Sequence, residues 1–293
     1  MEPIVITGAR GQLGLALRRV LAAAQPIALS HQELDIADPT AVERRLEALR
    51  PGVVINAAAF NRVDDAEDNH EDAYRANAEG PRTLARACTR LGALLVHFST
   101  DYVFAGDRRE PYAEEDLPAP RTVYGASKLA GERAVQDESQ LHMVIRTCGL
   151  FGARAGGGKG SNFVDTIVRL AAERTTIRVV DDQTVAPTAA LDLAEKTAEL
   201  LERWAATRDD SLLGLYHVTN AGSCSWYELA CEVVRSIGAR LAIEPISTAQ
   251  YGARAPRPTY SVLARRHLAR LGCDDLRSWS DALARYLEPS RPQ

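Results

Sequence analysis

The sequence predicts an α/β protein built on a doubly wound parallel sheet, and three observations carry that expectation. Short β-branched runs alternate with longer helix-like stretches through the first half of the chain, the pattern of successive βαβ units. The first of these runs ends in a cluster of glycines that opens directly into a helix. The 293 residues, 46% of them hydrophobic and 25% charged, suffice for a large core with a smaller C-terminal unit appended.

Taken in order, Ile4-Val5-Ile6 reads as the first strand and Leu13 to Leu21 as its helix. Ile27 to Leu29, a helix from Pro39 to Leu49 and the strand Val53 to Ile55 follow. Glu71 to Leu91 reads as one helix, Leu94 to Phe98 as a strand, Ser127 to Asp137 as a helix starting near Tyr124, and His142 to Arg146 as a strand. The regularity breaks at the glycine-rich stretch Gly152 to Gly160, which reads as a hinge. Beyond it come a helix Phe163 to Ala172, a strand Ile177 to Val180, a helix Leu191 to Trp204, a strand Leu215 to Val218 and a helix Trp226 to Ile237. The Pro/Arg-rich connection Ala253 to Pro258 then precedes a last strand and a C-terminal helix ending near Leu287.

Composition narrows the function. A net charge of −4 removes the basic field of a nucleic-acid binder, so an anionic ligand needs a local basic pocket. The five cysteines are odd in number and lack C-x-x-C spacing, which argues against a disulfide framework and fits a reducing cytoplasm. The N-terminus has no basic region before an apolar run, and no segment approaches the roughly 18 apolar residues of a membrane span. The six histidines form no metal-binding pair, so no metal site is expected, and the acidic run from Asp64 to Asp72 reads most simply as a solvated turn feeding a helix N-terminus.

Two constellations carry chemistry. Gly8-Ala9-Arg10-Gly11-Gln12-Leu13-Gly14 joins strand to helix, where glycine lets the backbone come close and the helix N-terminus offers N–H groups to a pyrophosphate; a structural turn is the alternative. Tyr124 and Lys128 stand four residues apart, about 40° around a helix, and both address one small volume. A phenol beside an ammonium is a tunable acid, although a surface pair has the same spacing.

Together with Asn56-Ala57-Ala58-Ala59 after a strand and Thr100 at a strand end, these elements resemble the extended short-chain dehydrogenase/reductase family. The runs GARGQLG, NAAAFNRVDDAED, FSTDYVFAG, PYAEEDLPAPRTVYGASKLAGE, GKGSNF, DDQTVAPT and LYHVTNAG are similar, along nearly the whole chain, to its dTDP-4-dehydrorhamnose reductase branch. The resemblance implies a Rossmann-type doubly wound sheet that binds a dinucleotide (residues 1–150 plus roughly 186–220) and a smaller C-terminal substrate-binding domain (roughly 151–185 plus 221–293). It implies hydride transfer to C4 of a dTDP-4-keto-6-deoxy sugar, with Tyr124 as acid, Lys128 holding the nicotinamide ribose and lowering the tyrosine pKa, and Thr100 positioning the C4 oxygen. Gly8, Arg10, Gly11, Gln12, Leu13 and Gly14 would hold the pyrophosphate side, Asp35 and Ile36 the adenine, and Ala57, Ala58 and Ala59 the cofactor wall. Asn61, Asp101, Tyr102, Asn162 and Phe163 would lie beside the sugar, with a strand-end capping role the alternative for Asp101, and Arg257, in a segment similar to the family's R-P-x-x-S-x-L, would meet the diphosphate. Lys159 is a second candidate anchor, and Asn77 matches a helix asparagine of the superfamily.

The second strand ends Leu29-Ser30-His31 without an acidic residue and Arg10 lies in the glycine loop, so the cofactor expectation is NADPH, with Glu33 keeping NADH open. Tyr102 stands where the superfamily's 4,6-dehydratases carry a second acid, which favours reduction without dehydration. Ala16 and Leu191 replace glutamates that some members associate with Mg2+, so that site is not expected. Cys148-Gly149 replaces a Ser-Trp of many members, leaving open a 4-ketoreductase for another deoxysugar. A non-catalytic nucleotide-binding regulator is the reading of a different class, and a homodimer is a family-level expectation.

Overall fold

The computed structural model describes residues 3–153 and 162–288. Strand β1 (Ile4–Thr7), helix α1 (Gln12–Val20), β2 (Ile27–Leu29), α2 (Pro39–Leu49) and β3 (Val53–Asn56) follow the order read from the sequence. Then come α3 (Val63–Ala66), α4 (His70–Tyr74), a π-helical turn (Arg75–Glu79), α5 (Gly80–Leu91), β4 (Leu94–Thr100), α6 (Val123–Glu138) and β5 (His142–Thr147). The second half contains β6 (Leu150–Phe151), α7 (Phe163–Glu173), β7 (Thr176–Val180), β8 (Thr184–Val185), β9 (Thr188–Ala189), α8 (Ala190–Thr207) and β10 (Gly214–His217). It closes with β11 (Cys224–Ser225), α9 (Trp226–Ser236), β12 (Ala242–Ile246), α10 (Thr248–Tyr251), α11 (Arg266–Arg270) and α12 (Trp279–Leu287).

Six strands form one parallel sheet in the order β10-β5-β4-β3-β1-β2. Successive residues of a strand point to opposite faces, and both faces are covered. Ile6, Ile55, Val96 and Ile145 pack under α1 and α8 with Leu17 and Leu200. Their neighbours Val5, Val54, Leu95 and Val144 pack under α2 and α5 with Leu46 and Leu84. The chain leaves β1 in one direction to reach β2 and returns to the other side for β3, so the ends of β1 and β3 flank the switch point where such sheets open a ligand crevice. A second apolar cluster joins α7, α9 and α12 to β7, which pairs with β12 apart from the main sheet.

Three departures from the sequence reading have physical causes. The helix expected from Glu71 to Leu91 is interrupted by the π turn. Pro81 lacks the N–H that would bond the Asn77 carbonyl, and its ring would collide with that carbonyl in a regular helix. The carbonyl turns instead onto Gly131 of α6, where a Cβ would lie 2.0 Å from it. The strand β12 escapes a hydrophobic-run reading because Glu244 and Pro245 interrupt it. The last strand expected after Pro258 does not form: Tyr260 and Leu263 make isolated bridges to Thr184 and Tyr112, because the segment crosses other elements instead of running beside one. Most of the expected hinge, 154–161 with Lys159, lies outside the described residues.

Candidate active site

The glycine loop sits at the switch point. Gly8 has φ +66°, and a Cβ there would lie 2.6 Å from the Ala57 carbonyl oxygen and 2.5 Å from the Ala58 nitrogen, so only glycine lets the ends of β1 and β3 meet this closely. Helix α1 is capped at Gly11 with no side chain bonding its first turn, which leaves its N-terminal N–H groups without a side-chain partner. The loop's polar and apolar members divide: Arg10 is exposed, whereas the Leu13 side chain belongs to the core. Asn56 braces the floor, accepting from Thr7 Oγ1 at 2.7 Å and from the Ala58 N–H at 3.1 Å.

Towards the expected adenine side, Asp35 pairs with Arg75 and accepts the Ala37 N–H. Burial raises its carboxyl, but those bonds to Ala37 and Arg75 hold it below the usual range. Ile36 is buried against Gly80, so its side chain supports the site from within the core. Glu33 folds back onto the Ser30 N–H and hydroxyl at 2.8 and 2.6 Å.

Thr100, Tyr124 and Lys128 converge where β4 ends against the first turns of α6. That helix starts at Thr122, whose hydroxyl accepts the Gly125 N–H. The Tyr124 phenol meets the Thr100 hydroxyl, and burial pushes the phenol up to about 12. Lys128 is buried and donates to the Phe98 carbonyl at 2.6 Å; burial brings its ammonium down to about 8, against the opposing pull of Glu132. Dehydration is the largest influence on the phenol, and its bond with Thr100 opposes it. Asn77 Oδ1 accepts the Phe60 N–H, and its amide donates to the Phe60 carbonyl and Ser127 Oγ, tying the loop after β3 to the catalytic helix.

Asp101 is turned inward. One carboxylate oxygen accepts from Thr100 Oγ1 at 3.0 Å and the other from the Cys148 thiol at 3.0 Å, with Ser261 as a further donor, and burial raises its carboxyl. These bonds hold Asp101 at the end of β4, as in its strand-end alternative, through Cys148 and Ser261, which gave no sequence signal. Asn61 is exposed in the loop following Phe60. Asn162 caps α7 and donates to Gln12 Oε1 at 3.0 Å, linking the glycine loop to the second half of the chain.

A cavity of about 740 Å³ opens beyond Tyr102, lined by Phe163, Trp226, Arg174, Arg178, Glu244 and Arg257 among others. Its cations outnumber the acid named here, and Phe163 and Trp226 supply aromatic surface with ring centroids 4.7 Å apart. Arg257 meets the Tyr102 phenol and pairs with Asp64 at 2.5 Å. The acidic run is thus a junction as well as a solvated turn: Asp68 pairs with Arg254, and Glu67 accepts the Val123 N–H at 2.9 Å. Trp226, Arg174 and Arg178 lay outside the sequence reading, since a single sequence gives no sign that distant helix and strand residues share one cavity.

Among the described residues, no group of three His, Cys, Asp or Glu side chains could hold a metal ion, and no helix is long and apolar enough to cross a membrane. Over residues 1–291 the chain matches the family described as RmlD substrate binding domain. A dTDP-4-dehydrorhamnose reductase of Mycobacterium tuberculosis is 43% identical over 294 residues, covering 98% of this chain and 92% of that one. The dTDP-4-dehydrorhamnose reductase structure from Clostridium acetobutylicum matches with a TM-score of 0.91 at 36% identity, covering 98% of both chains. That from Bacillus anthracis, in complex with NADP, matches with a TM-score of 0.90 at 39% identity, covering 97% of this chain and 98% of that one. With motif, topology and whole-length similarity in agreement, the chain belongs to the dTDP-4-dehydrorhamnose reductase family.

Proposed function

We propose that this chain reduces the C4 ketone of dTDP-4-dehydro-L-rhamnose to dTDP-L-rhamnose with NADPH. The observation that carries the reading is the Tyr124 phenol beside the Thr100 hydroxyl, with its ring 5.6 Å from that of Tyr102, which lines the cationic cavity. The start of α1 at Gly11, with no side-chain cap, together with the close approach of Gly8 to Ala57 and Ala58, fits a dinucleotide pyrophosphate. A Bacillus anthracis relative is in complex with NADP. In this reading the main sheet with β10 serves the cofactor, and the lobe around α7, α9 and β7 serves the nucleotide sugar.

The glycine loop and Lys128 would hold NADPH, which would supply the hydride for C4. Tyr124 gives its proton to the ketone oxygen, and because burial holds the phenol protonated through neutral pH it enters the reaction as an acid. Thr100, whose one hydroxyl proton otherwise goes to Asp101, turns that proton to the same oxygen. Lys128, fixed by the Phe98 carbonyl, holds the nicotinamide ribose with the remaining donors of its ammonium. Arg257 and its neighbours hold the diphosphate, for which a guanidinium fork is suited. The acid and lysine favour an enzyme over a pure binding subunit, which has no use for either. All five cysteines are free thiols, in keeping with a cytoplasmic enzyme, and we take it to work as a homodimer.

The test follows NADPH absorbance on adding dTDP-4-dehydro-L-rhamnose, with the product sugar identified and Tyr124→Phe run in parallel. Wild type should oxidise NADPH to yield dTDP-L-rhamnose, and the variant should bind NADPH but lose roughly 10²- to 10⁴-fold in turnover, about 3–5 kcal/mol. Turnover only with other dTDP- or UDP-linked 4-keto sugars would move the assignment to a different 4-ketoreductase. An unaffected Tyr124→Phe would remove the phenol from the mechanism.

A further inference from the structure

We infer that Asp64 is a positioning residue that aims Arg257 at the diphosphate of the nucleotide sugar. The inference rests on the function proposed above and extends it to a residue that touches neither cofactor nor substrate.

Both oxygens of Asp64 grip one short segment: Oδ2 accepts from Arg257 Nη2 at 2.5 Å and Oδ1 from the Ala255 N–H at 3.1 Å. Pro256 lies between the two gripped residues, so a single carboxylate fixes a stretch whose backbone is already restricted. The guanidinium is thereby held largely buried, with 17% of its side chain exposed, while still lining the cavity and meeting the Tyr102 phenol. The same turn holds the catalytic helix. Glu67, just past α3, accepts the N–H of Val123, the residue preceding Tyr124, at 2.9 Å. A four-residue helix thus grips the diphosphate anchor with one arm and the start of the catalytic helix with the other.

The arrangement predicts a split between affinity and turnover. Asp64→Ala should raise KM for the sugar nucleotide and the Kd of dTDP, measured by calorimetry without turnover, about tenfold. Its kcat should stay within about twofold of wild type and its melting temperature close to it. Asp64→Asn, whose single oxygen serves either the Ala255 N–H or the guanidinium but not both, should recover only part of the affinity. In an Arg257→Met background, Asp64→Ala should add nothing to the loss. The inference is overturned if Asp64→Ala binds dTDP as tightly as wild type or more tightly, if its effect adds fully to that of Arg257→Met, or if kcat and thermal stability fall while KM holds. A wild type that binds no dTDP would overturn the proposed function as well, whereas normal wild-type turnover with a silent Asp64→Ala would remove the inference alone.

Discussion

At the scale of single residues, Lys128 shows how function opposes stability. Its ammonium is buried, and burial brings it down to about 8 from the 10.5 of a free lysine. A base whose pKa is depressed on folding loses its proton first in the folded state, so its unfavourable contribution fades as pH rises from about 8 through the unfolded value. Below that window the charge costs the fold and serves the chemistry. Two outcomes follow. In the free enzyme kcat/KM should fall above a pH of about 8 as the ammonium is lost. Lys128→Met, compared with wild type from pH 7 to 11, should be inactive yet relatively most stable at pH 7, with the difference shrinking as pH rises; urea unfolding checks this, and a difference that grows with pH would contradict it. That Tyr124 and Lys128 both reach the last residues of β4 was legible from their spacing. The depth at which the phenol is buried was not, because burial is set by the fold and spacing does not show it.

Among the elements, the interrupted helix between α4 and α5 shows what local pattern omits. β1 to β5 were legible because β-branched runs bounded by glycine and polar residues have few other ways to fold. The π turn was not, since Pro81 only announces a break, and the form of the break depends on Gly131 in a helix some fifty residues away accepting the displaced carbonyl of Asn77. The same turn carries Asn77, buried and bonded to both the N–H and the carbonyl of Phe60 and to Ser127. Asn77→Ala would leave those partners unmatched in a dry setting, at a cost of about 2–4 kcal/mol in urea unfolding. Because Phe60 follows Ala57 to Ala59, NADP+ affinity should fall with it. A variant that loses stability but binds NADP+ as wild type does would show that the loop after β3 is held by other means. Strand β12 and the crossing segment Tyr260 to Leu263 were misread for a related reason, since pairing across the chain settled which of them runs beside a neighbour.

For the whole molecule, the question is how a chain that leaves the main sheet after β5 and returns to it at β10 keeps its two cores in one cooperative unit. β10 is hydrogen-bonded to β5 in parallel register from Gly214 to His217. Behind that seam lies a buried polar knot. Arg146 of β5 makes a two-bond pair with Glu132 of α6 at 2.9 and 2.7 Å, and its guanidinium lies over the Phe104 ring. His217 of β10 takes a longer contact from Arg146 at 3.4 Å, and its other ring nitrogen meets the Ala264 carbonyl at 2.9 Å. Burial, with Arg146 beside it, brings His217 down to about 3, so it stays neutral and can accept from the guanidinium. A buried pair of this kind need not exceed an apolar replacement in stability, but breaking it strands a charge. Glu132→Gln should therefore cost roughly 3–5 kcal/mol. Trp204 reports on the core under the main sheet, and Trp226 and Trp279 on the core around α7 and α9. In variants retaining one of these tryptophans, urea transitions should coincide, and Glu132→Gln should move both midpoints together. If Trp204 alone responded, the second core would be stable without the seam, and β10 would be a strand borrowed by the sheet, carrying no cooperative tie between its two sides.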